Sequence, residues 1–274
     1  MNYINCQNKL PPEVLRKTII FWCENSFQHI NSLLSAFKGS GAVLSSEFNE
    51  ELKEIEKIFK SIFLEYSSSK TSLPSHPAIL FKTNTRFIKL LERLKFEGAS
   101  GYPLLAQSIY HYIFEQSYIN AIFGVSVPQN QPLITFKFAP FYTNNCVYNQ
   151  MYFWSIIGSM HPSLLLNNND FALALNGYSR DFLKETVNGF NAVCYRLSTL
   201  QKGKKELAKI SENFCQLNSN FLSFLISAES GSARVFSSTV KPHLSDSFYR
   251  AARHMIGEHT LVSELCDGMA EMLK

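Results

Sequence analysis

One phrase occurs twice in this chain, and it constrains the fold more than any other feature. The only two tryptophans each follow a Phe and each precede a His by seven residues: Phe21-Trp22 with His29, and Phe153-Trp154 with His161. From the chain's own composition, a chance match is on the order of one in 100,000. The phrase reads as an internal duplication at an offset of 132 residues, about half of the 274. Seven residues are nearly two helical turns, so each Trp and its His share one stripe of a helix.

A second pair repeats with it. His111 precedes Glu115 in HYIFE, and His254 precedes Glu258 in HMIGE. Four residues apart on a helix, each His and Glu share a face. The offset here is 143 residues, so about 11 residues are inserted between the paired motifs of the second half.

The rest of the pattern is helical. Pro11-Pro12 opens a helix to about Phe37, closed by Lys38-Gly39-Ser40-Gly41. Ser45-Ser46-Glu47 starts a second, with Leu52, Ile55, Ile58, Phe59 and Phe63 as its apolar stripe. A third covers about Ile79 to Phe96, and a fourth runs from Pro103 to before Gly124. Short loops between four such helices predict an antiparallel bundle. Residues 125–145 hold three prolines among β-branched and aromatic runs, which predicts an irregular crossover with a short strand pair. The second half repeats the scheme. A helix carrying Trp154 is expected to end or kink at His161-Pro162. A long one follows from about Asp170 to Leu200, bent at Gly177. Others are expected over Lys204 to Ala228 and Pro242 to Leu273. The fold class is therefore all-α, two tandem four-helix bundles: 1–123, a crossover 124–145, and 146–274. From Gln116 to Asn169 the only charged residue is Lys137. So charge-poor a stretch should be buried, largely in the contact between the halves.

Composition narrows the function classes. Hydrophobic residues make up 46% and charged residues 18%, which excludes a disordered chain. A net charge of +4, with 13 basic and 11 acidic residues on each side of Pro132, argues against a nucleic-acid partner. No signal peptide and no membrane helix are visible. The cysteines (Cys6, Cys23, Cys146, Cys194, Cys215, Cys266) stand singly with no CxxC pair, and are expected to be small buried hydrophobes in a reducing cytoplasm. Walker, GxGxxG, GxSxG and HExxH motifs are absent. The tract Lys202, Lys204, Lys205 and Lys209 reads as a solvated helix face. A homodimer and an unidentified protein partner stay open.

Two tandem bundles, each opening on an FW-x6-H helix, resemble a bacterial ferritin-like family of uncharacterised function. The stretch FKTNTRFIKLLERLKFEG looks like that family's third helix, and HMIGE like its His-Met-x-x-Glu. The resemblance implies the ferritin-like fold and a metal site, without an assigned reaction. It also implies a Glu three residues before each Phe-Trp, where this chain has Thr18 and Gln150.

Imidazoles and carboxylates facing each other inside a bundle can hold Fe, Mn or Zn. The candidate ligands are His29, His111 and Glu115 in the first half, and His161, His254 and Glu258 in the second. Glu54, Glu92 or Glu185 from the middle helices would be needed to approach a carboxylate-rich di-iron centre. His259, one residue past Glu258 and about 100° round the helix, is expected at a surface or interface. His76, before Pro77, is expected in a solvated loop. Two functions follow: a cytoplasmic metal-binding protein of unknown reaction, or a non-catalytic helical scaffold with a degenerate metal site.

Overall fold

The computed structural model describes residues 12–68, 77–124, 146–200, 204–237 and 244–273. Among them are nine α-helices and no strand: α1 (Pro12–Ser40), α2 (Ser46–Ser68), α3 (Pro77–Glu97), α4 (Pro103–Gly124), α5 (Cys146–Asn167), α6 (Asn169–Ala174), α7 (Gly177–Ser198), α8 (Lys204–Glu229) and α9 (Asp246–Leu273). The fold is all-helical. None of these helices is long and apolar enough to cross a membrane. The crossover 125–145 and His76 lie outside the described residues.

The chain divides into two units, Asn5–Lys137 and Phe138–Lys274 together with Met1–Ile4. In the first, α1 packs on α2 and α4, and α3 packs on the same two, which closes a four-helix ring. In the second, α5 packs on α7 and α9, and α8 packs on the same two. The added helix α6 lies against α5.

The rings close because apolar residues recur at helical spacing. Helix α2 buries Phe48, Leu52, Ile55, Phe59, Ile62 and Tyr66. Helix α7 buries Ser179, Leu183, Thr186, Phe190, Val193 and Leu197 at the same alternating spacing of four and three. The charge-poor helices α4 and α5 are apolar around most of their circumference, as buried helices are. Gln116 to Asn120, and Met151, Phe153, Trp154 and Ile157, are all buried.

Two local expectations are corrected. Helix α5 neither ends nor breaks at Pro162 but continues to Asn167. Pro162 is buried, and the packing of α5 on its neighbours outweighs the one hydrogen bond that proline removes. The long helix expected over 170–200 is two helices. Leu175 is extended, and Asn176 caps α7 by accepting a hydrogen bond from Ser179 N at 2.7 Å. The break is pinned from outside. Asn176 N donates to Val235 O at 3.1 Å, and its Nδ2 donates to Arg234 O at 2.8 Å.

The cysteines also differ from expectation. Cys215 of α8 and Cys266 of α9 form a disulfide, while Cys23 and Cys194 are free thiols. Fifty-one positions of sequence hid a pairing that the adjacent α8 and α9 create. The cytoplasmic reading rested on reduced thiols, and this bond removes that support.

Candidate metal centre

Each unit carries a buried carboxylate held by two imidazoles. In the first, α1 supplies His29 from the face of Trp22, and α4 supplies His111 and Glu115 one turn apart. His29 Nε2 lies 3.0 Å from Glu115 Oε2, and His111 Nε2 lies 3.0 Å from Oε1. In the second, α5 supplies His161, and α9 supplies His254 and Glu258. His161 Nε2 lies 3.2 Å from Glu258 Oε2, and His254 Nε2 lies 3.3 Å from Oε1. All six side chains are at most 8% exposed. The six residues singled out by the two repeated motifs thus assemble as two His–Glu–His groups.

The groups have the dimensions of a coordination shell. With metal–ligand bonds of about 2.0–2.1 Å, adjacent ligand atoms are about 3.0 Å apart on an octahedron and about 3.3 Å apart on a tetrahedron. The observed N···O distances fall in that range. Ligand atoms of His29, His111 and Glu115 all lie within 4.8 Å of one another. Such a buried His/Glu group could hold a metal ion.

A hydrogen-bonded layer stands behind each group. In the first unit Gln116 Nε2 lies 3.0 Å from His29 Nδ1. Gln116 Oε1 lies 3.1 Å from Ser26 Oγ, which also donates to Trp22 O at 2.7 Å. Asn84 of α3 donates to Gln116 O at 2.6 Å and to Asn120 Oδ1 at 2.9 Å. Tyr112 stacks on His29 with ring centres 4.2 Å apart. In the second unit His259 Nε2 lies 2.9 Å from His161 Nδ1. Asn218 of α8 accepts from His259 Nδ1 at 2.6 Å and donates to His259 O and Ser263 Oγ. Gln116 and His259 each follow the bridging Glu. Asn84 and Asn218 each donate to that following residue's carbonyl.

His259 is therefore a correction: it is buried against His161 rather than at a surface. Positions 252, 255, 259 and 262 form the core stripe of α9, and His259 falls on it. Burial holds the His259 imidazole well below its ordinary pKa of 6.5; His161 adds to this and Glu258 opposes it. His254 is lowered as well, by burial first, with Glu258 opposing and His161 assisting.

The extra carboxylates do not join. Glu54, Glu92 and Glu185 face solvent. Glu54 bonds Arg86 at 2.8 Å, which holds its carboxyl below the usual range. Lys205 and Lys209 are exposed, on a solvated face. Asn84, Asn218 and Gln116 escaped the motif reading. One signal could have found the first two. Each Asn interrupts an apolar stripe, with Phe three residues on and Leu seven on (Phe87 and Leu91, Phe221 and Leu225).

The chain matches no family model, no curated protein and no solved structure.

Proposed function

We propose that this chain is a metal-binding protein of the ferritin-like type, built by duplication of a four-helix bundle. His29, His111 and Glu115, and His161, His254 and Glu258, are its ligands for Fe(II), Mn(II) or Zn(II). One observation carries the reading: in each unit a buried carboxylate has two imidazole Nε2 atoms 3.0 to 3.3 Å from its oxygens. The duplication is supported by similar offsets. Trp22 and Trp154 differ by 132 positions, Phe59 and Phe190 by 131, and Asn84 and Asn218 by 134.

Each unit offers one carboxylate and two imidazoles. That donor set suits one divalent ion with coordination positions left open, rather than a carboxylate-rich iron pair. A bound ion would supply Lewis acidity or redox chemistry. The protein's part is to hold neutral imidazoles and an ionised carboxylate away from water.

A scaffold without metal is the second reading. Thr18 and Gln150, where the resemblance implies carboxylates, favour it. So does the fact that one shared proton can close each His–Glu contact as a hydrogen bond.

Metal analysis of protein purified without chelators or a His tag separates the two, together with thermal unfolding. An ion that binds only the native state raises its stability by mass action. Added Fe(II), Mn(II) or Zn(II) should raise the wild-type Tm, and His29→Ala should reduce the rise. His76→Ala should leave it intact. The scaffold reading gives no metal response, with His29→Ala costing about 1–3 kcal/mol through its unpaired buried neighbours. Equal responses in wild type and His29→Ala would exclude the first group as a site.

A further inference from the structure

The residue after the bridging Glu differs between the two groups, Gln116 in the first and His259 in the second, and it bears on where a proton sits. Asn218 Nδ2 is committed as a donor to a backbone carbonyl, His259 O, at 3.0 Å. Its Oδ1 is therefore the atom that meets His259 Nδ1 at 2.6 Å, and Nδ1 must carry the hydrogen. The His259 ring is enclosed by Phe221 and Phe190, with ring centres at 4.8 and 6.4 Å. Its two hydrogen-bond partners, Asn218 and His161, bear no acidic group. It holds one N–H, spends it on Asn218, and turns a bare Nε2 toward His161 Nδ1 at 2.9 Å. His161 Nδ1 is then the donor, and His161 Nε2 presents a lone pair to Glu258 Oε2 at 3.2 Å. Two acceptors that close require a proton or a metal cation between them.

The first unit lacks this logic. Gln116 has a donor and an acceptor at one end of its side chain, and which of them meets His29 Nδ1 depends on whether the single Ser26 hydroxyl hydrogen goes to Trp22 O at 2.7 Å or to Gln116 Oε1 at 3.1 Å. His29 can take either tautomer. The counterpart of the Asn218 acceptor, Asn84 Oδ1, is buried with no hydrogen-bond partner, because Gln116 carries no ring nitrogen to reach it.

We propose that His259, held by Asn218, is a positioning residue that fixes His161 as the Nδ1–H tautomer and presents its Nε2 to a cation shared with Glu258. His29 is not so fixed. The functional side of this inference rests on the metal reading; the tautomer does not. Partners of this kind behind a metal-bound imidazole typically change metal affinity by about 10–100-fold.

The test uses the full chain and two readouts. Nitrogen-15 NMR of histidine-labelled, metal-free protein should show His161 protonated at Nδ1 and bare at Nε2. His259→Gln, which copies the first unit, should abolish that preference. Asn218→Leu, which removes the acceptor for His259 Nδ1, should abolish it as well. Zn(II) titration in a His29→Ala background should then show about 10–100-fold weaker binding for His259→Gln at unchanged helical content. A His161 protonated at Nε2 in the wild type overturns the inference, whatever the metal result. Unchanged Zn(II) affinity in a folded His259→Gln protein overturns it too. If wild type binds no Zn(II) but His161 is the Nδ1–H form, the metal reading fails and the positioning role stands.

Discussion

At residue scale, the histidines link burial to pH. His254 and His259 are both held below 6.5 in the folded protein, chiefly by burial. Below that pH the unfolded chain takes up protons that the folded chain refuses. Stability is therefore present above about pH 6.5 and lost as pH falls, by up to about 1.4 kcal/mol per pH unit for each such histidine. Urea midpoints for metal-free protein between pH 7 and 5.5 should fall with pH, and His259→Gln should make that fall shallower. An identical pH slope in the two proteins would show that His259 is not held neutral. The two His–Glu–His groups were legible, because His is scarce and recurs with Glu at a spacing that shares a helix face. His259 was misplaced because its helix angle was measured from Glu258 alone. The buried stripe of α9 is wide enough to hold both residues. Gln116, Asn84 and Asn218 were invisible to a search for ligand types, since they act through other residues.

At element scale, helix positions were legible within a few residues because Pro, Gly and Ser punctuate the apolar stripes. What the local sequence did not show was tertiary override. Pro162 sits within α5, and the Asn176 break depends on carbonyls at 234 and 235, nearly 60 positions away. One close helix approach in the second unit is made at Gly158 of α5. A methyl group added there would lie 2.7 Å from the Phe190 ring of α7. Phe190 is fully buried, so its ring has no open space to move into. Gly158→Ala gains up to about 1 kcal/mol of helix propensity. The overpacking costs about 1–3 kcal/mol, so a net loss of stability is expected. Chemical denaturation checks this. A stabilised Gly158→Ala protein would mean that the α5–α7 approach is looser than the structure has it.

At the scale of the whole chain, each of the two units is a ring of four long helices, α1–α4 in one and α5, α7, α8 and α9 in the other. In the second unit Cys215 and Cys266 staple α8 to α9. The free thiols are of a different kind: burial pushes Cys194 up to about 12 and raises Cys23 as well, so neither is a thiolate ligand or nucleophile at neutral pH. Single cysteines spaced far apart could not show which of them meet; that required α8 and α9 to lie side by side. The staple predicts a specific loss. Closing a loop of 51 residues removes chain entropy from the unfolded state worth about 4 kcal/mol, less any strain in the folded one. Cys215→Ser with Cys266→Ser should therefore lower the stability of the second unit by about 2–4 kcal/mol. The two tryptophans make the measurement direct, since Trp22 lies in the first unit and Trp154 in the second, each 2% exposed. In a Trp22→Phe background, Trp154 fluorescence reports the second unit's transition alone. Its midpoint should fall in the double cysteine variant, and dithiothreitol should reproduce the fall with the cysteines present. A Trp154 transition unmoved by both treatments would mean that the two thiols do not bond in the folded protein.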